Sequence, residues 1–257
     1  MLRPDVIDLR EFYRTALGQT ARRLIRRRIR LLWPSVTGQR VLGLGFATPY
    51  LAQFRDEAER IAVAMPVSQG VMHWPGGEPG LAVLAEETEL PFSDAMFDRV
   101  LVVHGIESAD NVRVLLREIW RILAPSGRLL AVVPNRRGLW SRFENSPFGQ
   151  GHPYAPGQLT RLMRDTMFSP TQAAQALYAP PWERRFVLGA ANGWEKAGAM
   201  LWPRFSGVLL LEAEKQIYAP PPGHAERRKR ARSLAWRPAA SVSRGTPMNP
   251  APPNSVR

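Results

Sequence analysis

An apolar run ending in Gly-x-Gly, then a small residue, Thr and Pro, constrains this chain more than any other feature: Val41-Leu42-Gly43-Leu44-Gly45-Phe46-Ala47-Thr48-Pro49-Tyr50-Leu51. It reads as a buried strand turning sharply into a helix. Thr48 is a good N-cap, and Pro49 suits the first helical position, where a missing N–H costs nothing. In open α/β folds, ligands bind in the crevice at the carboxyl ends of the strands.

The same alternation continues down the chain. Arg40–Leu44 reads as a strand, Pro49–Glu59 as a helix, Arg60–Ala64 as a second strand, Leu81–Leu84 as a third and Phe97–Val103 as a fourth. Between Asn111 and Leu123 the apolar residues Val112, Leu115, Leu116, Ile119, Trp120 and Leu123 recur at helical spacing. Pro125-Ser126-Gly127 stops that helix before a fifth strand at Arg128–Val133. A short helix near Gly157–Met167, then apolar runs Ala173–Tyr178 and Val208–Ile217 around a helix at Arg184–Leu201, complete seven strands. The expected fold is α/β: a doubly wound, seven-stranded, mostly parallel sheet with helices on both faces.

At 257 residues with 45% hydrophobic composition, the chain is large enough for a full core. Its net charge of +13 is uneven. Residues 1–33 carry nine Arg against Asp5, Asp8 and Glu11, and residues 224–257 carry eight Lys/Arg against Glu226 alone, so the segment between is neutral. Any acidic partner, nucleic acid or anionic membrane, is therefore expected at the termini. Residues 8–32 read as one helix, with Arg22, Arg23, Arg26, Arg27 and Arg30 on one arc. Tyr13, Leu17, Leu24, Leu31 and Leu32 fall on the opposite arc, with Arg28 as the exception. That arginine arc is either a solvated face or a surface that touches anionic lipid or nucleic acid. Residues 1–33 are thus an N-terminal basic amphipathic helix, 34–219 a single domain, and 220–257 a basic, Pro-rich tail that reads as disordered. Zero cysteines exclude disulfides and thiolate chemistry, and the four His show no metal-ligand spacing. With no signal-like or membrane-spanning apolar run, a cytoplasmic location is the expectation.

Three segments carry a resemblance to a known family: Glu86-Glu87-Thr88-Glu89-Leu90-Pro91-Phe92, Phe97-Asp98-Arg99-Val100, and Arg117-Glu118-Ile119-Trp120-Arg121-Ile122-Leu123-Ala124-Pro125-Ser126-Gly127-Arg128-Leu129. Over about residues 38–135 the chain resembles the class I S-adenosylmethionine-dependent methyltransferases, in particular the type 11-like domains. The resemblance implies S-adenosylmethionine as cofactor, methyl transfer at its sulfonium, and a small-molecule methyl acceptor. On the matching positions it implies a cofactor site of Gly43, Gly45, Phe46, Ala64, Glu86, Glu87 and His104, with Glu86 facing the adenine amino group. Alignment of donor and acceptor is most of what such chemistry requires, so no single catalytic residue stands out. The loop after the fifth strand supplies the substrate candidates Asn135, Arg136, Trp140 and Tyr154.

The chain departs from the family where the cofactor would be gripped. Gly43 stands where the first strand normally ends in an acid, and Ala47 and Pro49 stand at two glycines. The second strand, Ile61-Ala62-Val63-Ala64-Met65-Pro66, lacks the acid that holds the ribose hydroxyls, each such bond contributing roughly 1.5–3 kcal/mol. Three readings stay open: a modified cofactor pocket, a catalytically inactive binding module that uses its basic termini, or a different small ligand in the same crevice. The expectation that separates them is geometric: the space beside Gly45, Ala64 and Glu86 is either an open cleft or is filled by Phe46, Met65 and Pro66.

Overall fold

The computed structural model describes residues 4–77, 79–183 and 188–217. The tail 220–257 and the start of the helix expected from Arg184 lie outside them.

Seven strands form one sheet: β1 (Arg40–Gly45), β2 (Arg60–Pro66), β3 (Ala82–Ala85), β4 (Phe97–Val103), β5 (Leu123–Pro134), β6 (Phe168–Ala176) and β7 (Val208–Lys215). Their order is β3-β2-β1-β4-β5-β7-β6. The first five strands run parallel, and β7 lies antiparallel between β5 and β6. This is the doubly wound α/β fold the alternation requires. The strand order reverses between β1 and β4, which puts a ligand crevice at the carboxyl ends of those two strands.

The β1–β4 register has a specific cause. The Arg40 guanidinium grips Asp98 at both carboxylate oxygens, each at 3.0 Å, and the Arg40 N–H donates to the same carboxylate at 2.9 Å. Val41 then pairs with Arg99 and Gly45 with Val103. β5 begins earlier than the sequence suggests. Leu123 already pairs with Phe97, and Pro125-Ser126-Gly127 becomes an irregularity inside the strand, with Ser126 at φ +60°.

Six helices flank the sheet among the described residues: α1 (Val6–Arg14), α2 (Ala16–Leu32), α3 (Thr48–Leu51), α4 (Val112–Ile122), α5 (Pro156–Asp165) and α6 (Ala191–Leu201). The single helix expected over 8–32 is two. Thr15 adopts an extended backbone, receives α1's end and caps α2 by accepting the Gly18 N–H at 3.0 Å. Asp5 caps α1 by accepting from Ile7 and Asp8, both at 2.8 Å. The helical wheel misplaces one residue, Leu31, which is 47% exposed. Arg28, the exception on the apolar arc, is buried as that arc requires, with its Nε donating to the Gln175 carbonyl at 3.1 Å.

The helix expected over 49–59 closes after one turn. It starts at Thr48 with Ala47 at the cap position, then tightens into a 3₁₀ turn at Ala52–Phe54. That tightening buries Phe54 against Trp33, ring centroids 6.1 Å apart. Just beyond the turn, Glu57 pairs with Arg30 and accepts from the Val36 N–H.

Two apolar layers form the core. One holds α1, α2 and α3 on one face of the sheet together with residues around Trp140 and Ala191, and the other holds α4 and α5 on the opposite face. A buried carboxylate joins the sheet to the first layer. Glu212 on β7, with no exposed surface, accepts from Trp33 Nε1 (3.0 Å), Arg99 (3.1 Å), Arg128 (3.4 Å), Thr171 Oγ1 (2.7 Å) and Gln172 Nε2 (3.2 Å). Replacing Glu212 by Ala leaves the half-buried Arg99 and the Trp33 N–H without their partner. Glu212→Ala should cost about 3–5 kcal/mol of stability, read as a lowered urea midpoint with an unchanged slope.

Candidate active site

The turn after β1 shows why two glycines are needed. Gly45 has φ +73°, and a Cβ there would collide with the Val103 carbonyl. A Cβ at Gly43 would collide with Leu51 and Ala47 of the following turn. Both glycines therefore answer to packing of the strand against its own neighbours.

Phe46 and Ala47 are buried, and the ring of Tyr13 from α1 stacks on Phe46 with centroids 5.6 Å apart and planes 14° apart. At the ends of β2 and β3, Leu44, Ala64, Met65, Pro66, Ala85, Glu87, Leu90 and Leu115 surround a gap of about 160 Å³. Small-ligand sites take up roughly 300–1,000 Å³, and no part of this gap admits a water molecule. Met65 and Pro66 border this gap, while Phe46 packs against Tyr13.

Where β4 ends, a polar cluster is buried under α1. His104 has φ +54°, an uncommon backbone for a residue with a side chain, and such positions typically cost about 1–3 kcal/mol. Its Nδ1 lies 3.1 Å from Glu107 Oε1, and its Nε2 lies 2.9 Å from the Tyr13 hydroxyl. Tyr13 in turn lies 2.8 Å from the Tyr50 hydroxyl. In the tautomer whose Nδ1–H donates to Glu107, Nε2 accepts from Tyr13 and Tyr50 donates to Tyr13. Gln69 donates to the His104 carbonyl, and the Phe148 ring lies 4.9 Å from the imidazole. The second oxygen of Glu107 is buried and has no hydrogen-bond partner among the described residues. Burial, followed by the Glu107 charge, raises the pKa of the half-buried Tyr154 phenol.

The candidate residues from sequence separate into groups. Phe46 and His104 meet around Tyr13, beside the Gly45 turn. Ala64 and Glu87 meet at the small gap, and Glu87 accepts from the Asp110 N–H at 3.3 Å. Glu86 is exposed, in a tight turn where it bridges to Glu89, so Glu87 is the acid at the gap.

The loop residues disperse as well. Asn135 is buried and donates to the Ser206 and Arg204 carbonyls at 2.9 and 3.1 Å. Trp140 is buried and donates to the Ala179 carbonyl at 2.8 Å. Arg136 is exposed. Among the four loop candidates Trp140 reaches the His104 cluster through Phe148, its ring edge-on to Phe148 at 5.5 Å. Sequence reasoning passed over Tyr13, Tyr50 and Glu107. Glu107, three residues after a histidine that ends a buried strand, was the available signal.

Tyr13 and Tyr50 give the site a pH signature. Burial, as the largest cause, raises both phenols well above their ordinary value of 10.0. The folded chain then keeps protons that the unfolded chain releases above pH 10, so this stability is complete below that pH and is lost as pH rises further. Urea unfolding at pH 9, 10 and 11 should show stability falling above pH 10 by up to about 1.4 kcal/mol per pH unit for each tyrosine. The Tyr13→Phe/Tyr50→Phe chain should fall less steeply.

Comparison with known proteins adds a family. Residues 34–131 match the family described as a methyltransferase domain. A demethylmenaquinone methyltransferase of Corynebacterium urealyticum is 24% identical over 203 residues, which is 76% of this chain and 84% of that protein. A protein of the same name from Corynebacterium efficiens is 30% identical over 125 residues, 49% of this chain and 54% of that protein. Among solved structures, a SAM-dependent methyltransferase from Thermotoga maritima superposes with a TM-score of 0.57 at 17% identity, covering 82% of this chain and 96% of that one. Geranyl diphosphate C-methyltransferase from Streptomyces coelicolor, solved with S-adenosyl-L-homocysteine, gives 0.51 at 16% identity, covering 74% and 77%. At such identities the structural likeness speaks for the fold.

Proposed function

From the match of residues 34–131 to a methyltransferase domain, we propose that the chain is an S-adenosylmethionine-dependent methyltransferase whose small-molecule acceptor is held beside His104. The observation that carries the choice of position is the buried Glu107–His104–Tyr13 cluster at the carboxyl end of β4. It joins a left-handed backbone with an unpartnered carboxylate oxygen at the place where open α/β folds bind ligands. Strain and unpaired buried polarity persist where a site requires them.

As arranged, the crevice does not fit S-adenosylmethionine. The gap beside Ala64 and Glu87 is too small, Ala64, Met65 and Pro66 offer no ribose-binding acid, and Tyr13 covers Phe46. Binding therefore requires Tyr13 and α1 to withdraw. The chain's own residues then supply proton handling: Nε2 of His104, released from the Tyr13 hydroxyl, can take a proton from an acceptor O–H or N–H. Glu107, on the opposite ring nitrogen, stabilises the resulting imidazolium. Glu87, which lines the gap, remains the acid for an amino-group contact.

Two measurements test this reading. Isothermal titration of the full chain with S-adenosylmethionine or S-adenosylhomocysteine should release heat, and silence at millimolar ligand on folded protein would reject it. Closure by Tyr13 reduces the apparent affinity in proportion to the closed population, so Tyr13→Ala should bind roughly tenfold more tightly. His104→Gln should keep the titration heat and lose methyl transfer to any acceptor that must shed a proton.

A further inference from the structure

The methyltransferase reading does not use the outer face of α2. From Ala16 to Leu32 this helix contains no acid. Gln19, Arg23, Arg27 and Leu31 recur every fourth residue and are all exposed, a straight ridge along the helix. Arg22, Arg26 and Arg30 form a second, half-buried row beside it. With Gln53 these residues line an open groove of about 990 Å³. Arg30 is paired with Glu57 and Arg26 bonds Gln53 at 3.4 Å. Arg22, Arg23 and Arg27 have no carboxylate partner among the described residues.

An apolar edge lies on the same side of the sheet. α2 and the start of α6 share one apolar layer. Arg28 donates to the Gln175 carbonyl, Gln175 accepts from the Tyr178 hydroxyl at 2.8 Å, and Tyr178 also reaches the Pro203 carbonyl at 3.4 Å. Through these contacts α2 is tied to the segment that ends α6. There Met200 is 80% exposed, and Leu201, Trp202 and Phe205 are each about half exposed or more. These large apolar side chains gain nothing from facing water.

We infer that α2 and the Met200–Phe205 edge form a docking surface for an anionic phospholipid bilayer. The arginine rows meet the headgroup charge, and Leu31, Leu201, Trp202 and Phe205 enter the interfacial layer. Attachment is peripheral: among the described residues no helix is long and apolar enough to cross a membrane. Nucleic acid fits this surface less well. Strand binding uses aromatic rings set among the cations, whereas the groove holds five Arg, two Gln and one Leu, with the aromatic side chains at a separate edge.

Sedimentation of the full chain with vesicles tests the inference. Partition into phosphatidylcholine containing about 30% phosphatidylglycerol should exceed that into phosphatidylcholine alone by roughly tenfold or more, and should fall steeply with added salt. Arg23→Glu/Arg27→Glu should remove most of the gain, while Arg23→Lys/Arg27→Lys keeps it, because a bilayer reads charge and not the guanidinium fork. Trp202→Ser/Phe205→Ser should weaken partition several-fold and make what remains more salt-sensitive. Wild-type partition of the Arg23→Glu/Arg27→Glu chain overturns the inference, since the eight Lys/Arg of 224–257 would then carry the binding. So does an unchanged Trp202→Ser/Phe205→Ser chain. Tighter binding to single-stranded or duplex DNA or RNA than to vesicles, at equal phosphate and salt, also overturns it. Circular dichroism of each variant separates lost docking from lost fold.

Discussion

A carboxylate with no access to water has to be fully partnered or it unfolds what surrounds it. Glu212 meets that requirement with donors from five residues across the chain: Trp33 at the end of α2, Arg99 on β4, Arg128 on β5, and Thr171 and Gln172 on β6. It sits where the sheet changes from parallel to antiparallel, opposite Leu130 on β5 and Gln172 on β6. Apolar residues at this position would pack the two halves together without fixing their register. The carboxylate also anchors the base of α2, and α2 in turn carries α1 back across the sheet to the crevice. There Tyr13 is held above Phe46 by its bonds to Tyr50 and His104.

The crevice shows packing and ligand space competing for the same volume. Residues that in an open site would border a ligand face one another instead: Tyr13 on Phe46, and Met65 and Pro66 against Leu90 and Ala85. Only the polar cluster at the end of β4 departs from this economy. A histidine in a left-handed backbone and a buried carboxylate oxygen without a partner are features that close packing alone would remove. Their survival under α1 is the physical basis for putting chemistry there, while the fold by itself is shared by proteins with many activities.

Charge is segregated in the same way. The middle of the chain is neutral overall, and its ion pairs, such as Arg40 with Asp98 and Arg121 with Glu118, serve strand and loop geometry. Arg22, Arg23 and Arg27, without carboxylate partners among the described residues, lie on the outer side of α2, whose inner side is core. One helix therefore has two roles along one axis, burying Ile25 and Ile29 on one side while presenting Arg23 and Arg27 on the other.

Local rules made most of the architecture legible from residues alone. The Val/Leu run Phe97–Val103, the helical spacing of Val112–Ile122 and the Gly-x-Gly turn each specify their element through interactions within a few residues. The misreadings have different causes. The early close of α3 goes with a distant partner, Phe54 packing on Trp33, whereas the helical break at Thr15 is local, set by its bonds to the Phe12 carbonyl and the Gly18 N–H. Sequence named both Glu86 and Glu87, and which of the two lines the gap depends on the turn that Glu86 and Glu89 close. Periodicity and turn chemistry, being short-range, were enough to determine the parallel sheet and its crevice. Whether that crevice stands open, and which groups meet beneath α1, was decided only by tertiary structure, because both depend on how volume and buried hydrogen bonds are shared between segments as distant as Tyr13 and His104.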